Sequence, residues 1–183
     1  MKELSLNILD IAENSVSAKA SLVEICITES IVKNTVLIKI TDNGCGMSAE
    51  VLKTVTDPFS TTRKTRKVGM GISLLKLAAE QSNGELYIDS ELGKGTMVTA
   101  TFERNHIDRP PLGNIGQTIS TLISCNLGVD FTYTHIFEDK VFNFSTREIT
   151  EIIPDVPLNT PDVILWIQDY INEGIIAISS AEI

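Results

Sequence analysis

The chain has 183 residues, 43% hydrophobic and 21% charged, with a formal net charge of −9. That length holds one full core with an appendage, or two small domains, and the composition is ordinary for a soluble globular protein. The charge is uneven: residues 1–104 carry 13 acidic and 12 basic side chains, residues 105–183 carry 11 and 3, the reverse of the bias that binding nucleic acid requires. No apolar run is long enough to span a bilayer and no basic-then-apolar start marks a secretory leader, so a cytoplasmic location without membrane contact is expected. Cys26, Cys45 and Cys125 are odd in number and form no CxxC pair. They fit a reducing compartment and indicate neither a disulfide frame nor a zinc site.

In chain order, Leu4, Ile8, Ile11 and Val16 recur at helical spacing and predict a first helix over residues 3–18. SLVEICIT (21–28) and NTVLIKIT (34–41) alternate and predict two paired strands. Ser48 caps a short helix over 48–55. DPFSTTRKTRKVG (57–69) has no period, one proline and four cations, and reads as a loop. A helix over 70–82 follows, closed by Asn83-Gly84. ELYIDSE and GTMVTATFE form a hairpin across Leu92–Gly95. Pro110-Pro111 marks a linker over 105–113. Beyond it the pattern gives a helix near 114–126, a hairpin (129–137 and 140–148) and a helix over 161–173. The expected architecture is α+β, a two-layer α/β sandwich over 1–104 with its helices on one face of a mixed sheet, and a small C-terminal α+β appendage over 114–183.

Four stretches carry chemistry. In TDNGCGM (41–47), Asp42 closes a strand and Gly44 and Gly46 follow it. This is a sequence for a tight turn. It is equally a place where a carboxylate accepts from an exocyclic amine, where absent Cβ atoms let a flat ring approach, and where Met47 offers a soft surface to the ring. On the first helix, Asp10 and Asn14 stand at i and i+4 and share a face. The amide oxygen of Asn14 is a hard donor suited to Mg²⁺, and Asp10 behind it could orient or deprotonate a water; a solvated polar face has the same pattern. Gly69 and Gly71 open a helix, whose first N–H groups suit phosphate. TTRKTRK (61–67) precedes it, the hydroxyls of Thr61 and Thr62 followed by four cations, Arg63, Lys64, Arg66 and Lys67; such a run suits a polyphosphate, and a solvated or nucleic-acid-binding run has the same pattern. There is no Walker-type GxxxxGK[ST] run.

The order of these stretches resembles the GHKL superfamily of ATP-binding domains, which includes DNA gyrase B, the ninety-kilodalton heat-shock chaperone, histidine kinases and MutL. AENSVSAKAS looks like the asparagine box in its MutL wording, and DNGCGM matches the first glycine box. DPFSTTR and VGMGISLLK look like the phenylalanine and second glycine boxes of histidine kinases, and GELYIDSELGKGTMVTATF like their closing hairpin. The resemblance covers residues 3–103 and implies a Bergerat-type fold binding ATP with Mg²⁺. It assigns Asn14 to the metal, Asp42 to the adenine amine, and Gly44 and Gly46 to the border of the purine. Phe59 would pack under a lid, Gly69 and Gly71 would offer amides to the phosphates, and Thr96 would reach adenine through water. Lys64 and Arg66 are the candidates for the γ-phosphate contact, and the motif does not fix which cation makes it. Hydrolysing members carry glutamate where this chain has Asp10, one methylene shorter, which predicts slow hydrolysis. The MutL form has aspartate where Ser17 stands.

The histidines are His106 and His135. His106 precedes Pro110-Pro111, where a chain is not mid-helix, so a phospho-acceptor role is not expected; His135 alternates within a strand and reads as structural. The expected function is that of a Mg-ATP-dependent histidine-kinase-like protein, an ATPase or a kinase passing its γ-phosphate to a separate protein, as anti-sigma serine kinases of the same superfamily do. The alternative is a non-catalytic ATP/ADP sensor that regulates a partner. ATP, ADP, a protein partner and a homodimer fit this reading; nucleic acid and membrane do not.

Overall fold

The computed structural model describes residues 3–55 and 71–179. Helix α1 (Leu4–Ser17) turns Leu4, Ile8, Ile11, Ala12 and Ser15 inward. No side chain caps its start. Instead the N–H groups of Leu4 and Ser5 donate to the carbonyls of Pro111 and Leu112 at 2.9 and 2.8 Å, so the Pro-Pro segment satisfies two donors that a helix start leaves free. Strands β1 (Leu22–Ser30) and β2 (Thr35–Asp42) form an antiparallel hairpin. Their alternation buries Val23, Ile25 and Ile27 beside Val36, Ile38 and Ile40.

Helix α2 (Ala49–Thr54) begins at Ser48, whose hydroxyl accepts from the Val51 N–H at 3.3 Å. Helix α3 (Gly71–Gln81) ends as its sequence predicts: Asn83 adopts φ +52° and the Gly84 N–H returns to the Ala79 carbonyl at 2.8 Å. Strands β3 (Leu86–Glu91) and β4 (Gly95–Glu103) make the closing hairpin. Then come α4 (Ile115–Cys125), capped by the Asn114 side chain on the Gln117 N–H at 2.9 Å, the hairpin β5 (Asp130–Phe137) and β6 (Lys140–Ser145), α5 (Thr146–Ile152) and α6 (Pro161–Ser179).

One six-stranded sheet, in the order β3-β4-β2-β1-β5-β6, joins all of them. Every neighbouring pair is antiparallel except β1 and β5, which run parallel with Ile25 opposite Tyr133. Leu4 and Ile8 of α1, Leu75 of α3, Ile119 and Leu122 of α4 and Ile167 and Ile171 of α6 share one core with the buried strand residues. Glu24, Lys39 and Tyr87 lie exposed on their strands. The fold is thus a two-layer α+β sandwich with a mixed sheet, as expected.

Some boundaries differ from the sequence reading. The strand expected over 140–148 stops at Ser145, because TREITEI places Thr146 and Ile149 at i and i+3 and buries both on a helix. The last helix continues past residue 173 to Ser179. The linker is followed by strands that enter the same sheet, so one core runs through the sequence on both sides of it.

The β1–β5 seam carries a polar chain inside this core. His135 is fully buried, with Nδ1 2.6 Å from the Tyr133 hydroxyl and Nε2 3.0 Å from Glu29 Oε1. With Nε2–H donating to Glu29, Nδ1 accepts from Tyr133 and the group is satisfied without water. The bond from His135 holds the Glu29 carboxyl below its ordinary range, against the burial that would raise it, and burial pushes the Tyr133 hydroxyl well up. His135 is therefore structural, as its alternation predicts.

Candidate nucleotide-binding site

Asp42 ends β2, facing the helical layer because its alternation continues that of Val36, Ile38 and Ile40. Its carboxylate is fixed from three sides. Oδ1 accepts the Gly44 N–H at 2.9 Å and the Thr96 N–H at 3.3 Å, and Oδ2 accepts the Ser15 hydroxyl at 2.6 Å. A carboxylate has about four acceptor positions. Three are used, and the fourth, on Oδ2, is left for a donor.

Asp42 stands in the wall of a cleft of about 680 Å³. Ile11, Asn14 and Ser15 of α1, Ile40 of β2, Gly46 and Met47 of the following loop, Ile72 of α3, and Thr96 and Val98 of β4 also line it. The walls are apolar around few polar groups, which suits the flat base of a small ligand. Asn14 is half-buried, and its Nδ2 has no hydrogen-bond partner among the described residues.

The glycine loop is tied down on both sides. The Cys45 N–H donates to the Ala18 carbonyl at 2.8 Å, and the Gly93 N–H donates to the Cys45 carbonyl at 2.9 Å. The Met47 N–H donates to Ser90 Oγ at 2.8 Å, and Ser90 Oγ lies 2.9 Å from Thr96 Oγ1. Gly46 adopts φ +65°, and a Cβ there would meet the Glu91 carbonyl oxygen at 2.0 Å; one on Gly44 would meet the Ala18 carbonyl oxygen at 2.8 Å. Both glycines are thus required by neighbouring backbone in the folded chain, whatever occupies the cleft.

Of the residues singled out in the sequence, Asn14, Asp42, Gly46, Met47 and Thr96 come together around the cleft. Gly44 sits behind Asp42, bonded to it. Asp10 does not join them among the described residues: it is exposed on α1, and a Cβ on Gly71 would meet its Cβ at 2.8 Å. Phe59, Thr61, Thr62, Lys64, Arg66 and Gly69 lie outside the described residues. His106 stands in the turn after β4, where Nδ1 accepts the Asp108 N–H at 3.2 Å.

Two contributors escape the sequence reading. Ser15 was legible in principle: it continues the inward stripe Leu4, Ile8, Ile11 by four residues, and a hydroxyl on a buried stripe must have a partner. Ser90 gives no such signal, and only the pairing of β3 with β4 sets it opposite Thr96.

Residues 1–106 match the family model described as histidine kinase-, DNA gyrase B-, and HSP90-like ATPase. The chain belongs to this family. Its first hundred residues are accordingly a GHKL ATP-binding domain. A protein of Shewanella frigidimarina described as a sensor is 34% identical over 103 residues, 56% of this chain and 15% of that protein. Sporulation kinase E of Bacillus subtilis is 33% identical over 103 residues, 56% of this chain and 13% of its own. The chain thus spans about one seventh or less of these relatives. The crystal structure of the N-terminal domain of a DNA repair protein has the same fold, with a TM-score of 0.59 at 16% identity over 80% of this chain and 53% of that one. Among the described residues no helix is long and apolar enough to cross a membrane.

Proposed function

We propose that the protein binds Mg-ATP in the Asp42 cleft and hydrolyses it, or passes its γ-phosphate to a separate protein, as a regulatory component of the histidine-kinase-like kind. The observation that carries this reading is the state of Asp42. A carboxylate oriented by three donors, with one acceptor position left on Oδ2 at an apolar cleft, is a receptor for the amine of adenine. Ser15 on Oδ2 and the Gly44 and Thr96 amides on Oδ1 hold the carboxylate in place before the ligand arrives, so little ordering remains to be done on binding.

Magnesium fits the same wall. Among the described residues no cluster of three His, Cys, Asp or Glu side chains could cage a metal. Mg²⁺ needs no such cage, because it keeps waters and takes phosphate oxygens. Asn14, which lines the cleft and carries a hard amide oxygen, is the residue that would hold it. The ion would supply charge neutralisation to the phosphates.

The sensor reading is favoured by one specific feature. Asp10, the residue in the place of the general base, is exposed and outside the cleft lining among the described residues, and a base must come within about 3 Å of its water. Calorimetry with ATP and ADP in magnesium, joined to steady-state phosphate release, tests both readings. Asp42→Ala is expected to weaken adenine nucleotides about 100-fold, the loss of one oriented charged hydrogen bond. Turnover abolished by Asp10→Asn with binding intact supports catalysis. Tight binding without turnover supports sensing. No heat from any adenine nucleotide removes both.

A further inference from the structure

Helix α6 packs inward through Ile167 and Ile171, both fully buried. Its outward side is unusual for a solvated helix. Leu165 is 59% exposed, Trp166 48% and Tyr170 41%. The Trp166 and Tyr170 rings stack on each other at 5.1 Å, and Tyr170 in turn meets Phe142 of β6 at 5.4 Å, so the two exposed rings are held in place. At 100° per residue, Asp162, Asp169 and Glu173 fall within about 40° of one another along this side. Leu165 flanks that row on one edge, Trp166 and Tyr170 on the other. Among the described residues none of the three carboxylates has an ion-pair partner.

A solvated helix face gains nothing from an exposed tryptophan, and Asp169 and Glu173 at i and i+4 repel each other. Both features become favourable against one kind of surface. We propose that the outer face of α6 is a docking site for a protein partner that presents a basic amphipathic helix: lysines or arginines over the Asp162–Asp169–Glu173 row, with apolar side chains on Leu165 and on the Trp166–Tyr170 pair. Charge selects this occupant. A second copy would set three carboxylates against three carboxylates, and an anionic lipid surface would be repelled by a region of 11 acidic and 3 basic residues. The aromatic pair supplies the desolvated centre of the contact and the carboxylates its specificity and approach. This surface gives the partner of the proposed function a place to bind, yet its assignment does not depend on nucleotide binding.

Trp166 is the chain's one tryptophan, so its emission reports the face directly. The full-length protein is titrated, without nucleotide, with a helical peptide carrying lysine and leucine on opposite faces. A lysine–serine peptide of equal charge and a glutamate–leucine peptide serve as comparisons. A saturable blue shift with the lysine–leucine peptide is expected, weakened at least about tenfold by the serine replacement and by the combined Asp162→Asn, Asp169→Asn, Glu173→Gln variant. That variant removes only surface carboxylates, and a thermal melt verifies that it is folded. The blue shift must survive in Asp42→Ala, which separates failure of this surface from failure of the nucleotide site. No shift with lysine–leucine overturns the proposal, as do equal binding by the glutamate–leucine peptide, an unaffected triple variant, or a dimer in sedimentation whose Trp166 is already shielded.

Discussion

Residues 3–104 and residues 105–179 share one sheet and one core, but they speak differently. The first region is nearly neutral and dense in motifs: the asparagine of α1, the DNGCGM loop and the β3–β4 hairpin converge on Asp42. The second is acidic, and its buried residues are explained by packing. Helix α4 packs on α1 with Ile115, Ile119 and Leu122 in the shared core, and β5 lies along β1. The family match ends at residue 106, whereas the likeness to the DNA repair domain covers 80% of the chain. A boundary drawn by chemistry is therefore not a boundary of the folded unit. The motifs record where the ligand sits, and the core records what must be made together.

The sharpest way to break that contrast is to cut at residue 106. Truncation there removes Ile115, Ile119, Leu122, Phe131, Tyr133 and Ile171, each at most 1% exposed. Burial is worth about 1.5–3 kcal/mol per such side chain, so the six together, about 9–18 kcal/mol, are as large as the usual stability of about 5–15 kcal/mol. The fragment is expected to show no cooperative thermal transition; a native-like melt would restore the boundary at 106. Next in size is Gly46→Ala. Its Cβ collides with backbone at a positive φ, and about 2–4 kcal/mol of stability is expected to go, with Gly93→Ala as the comparison. Gly93 also has positive φ, +80°, but no atom within 4 Å, so its substitution should cost about 1 kcal/mol. Equal melting temperatures for the two would show that the glycine loop is looser than drawn.

A smaller effect belongs to the seam. Glu29 is depressed below its ordinary value of 4.5, chiefly by the bond from His135. A depressed carboxyl contributes stability above its unfolded pKa and loses it as pH falls through the folded one. Melting temperature should therefore fall as pH drops below 4.5, and Glu29→Gln should flatten part of that slope; parallel curves would remove Glu29 from the acid response. The smallest expected change is Asn14→Ala. It deletes a half-buried side chain whose Nδ2 lacks a partner among the described residues, so stability should move by no more than about 0.5 kcal/mol. Calorimetric affinity for ATP should lose its dependence on magnesium. If that dependence persists, the metal is held elsewhere.

Much of this was readable in the residues. Hydrophobic periods of two and 3.6 place the elements of the first region and α4, because each buries one face. Asp42 announces itself as a charge at the end of a buried stripe. What escaped was nonlocal. The alternation of DFTYTHIF gives a strand but not its neighbour, and parallel pairing with β1 leaves no local turn to mark it. The start of Thr146–Ile152, residues 146–148, reads as the end of a strand because seven residues hold too little helical period to oppose the strand before them. Ser90 matters only through pairing with Thr96. The glycines of DNGCGM were legible as necessary, but their near partners, the carbonyls of Ala18 and Glu91, come from distant elements.

The parallel pairing of β1 with β5 has a consequence for the newborn chain. β1 spans residues 22–30 and its partner 130–137, so the hairpin β1–β2 emerges from the ribosome about a hundred residues before its open flank can be closed. At roughly 5–20 residues per second that is several seconds with a naked strand of valine and isoleucine. Slower synthesis is thus expected to lengthen the exposure of this edge, and a holdase chaperone to shield it.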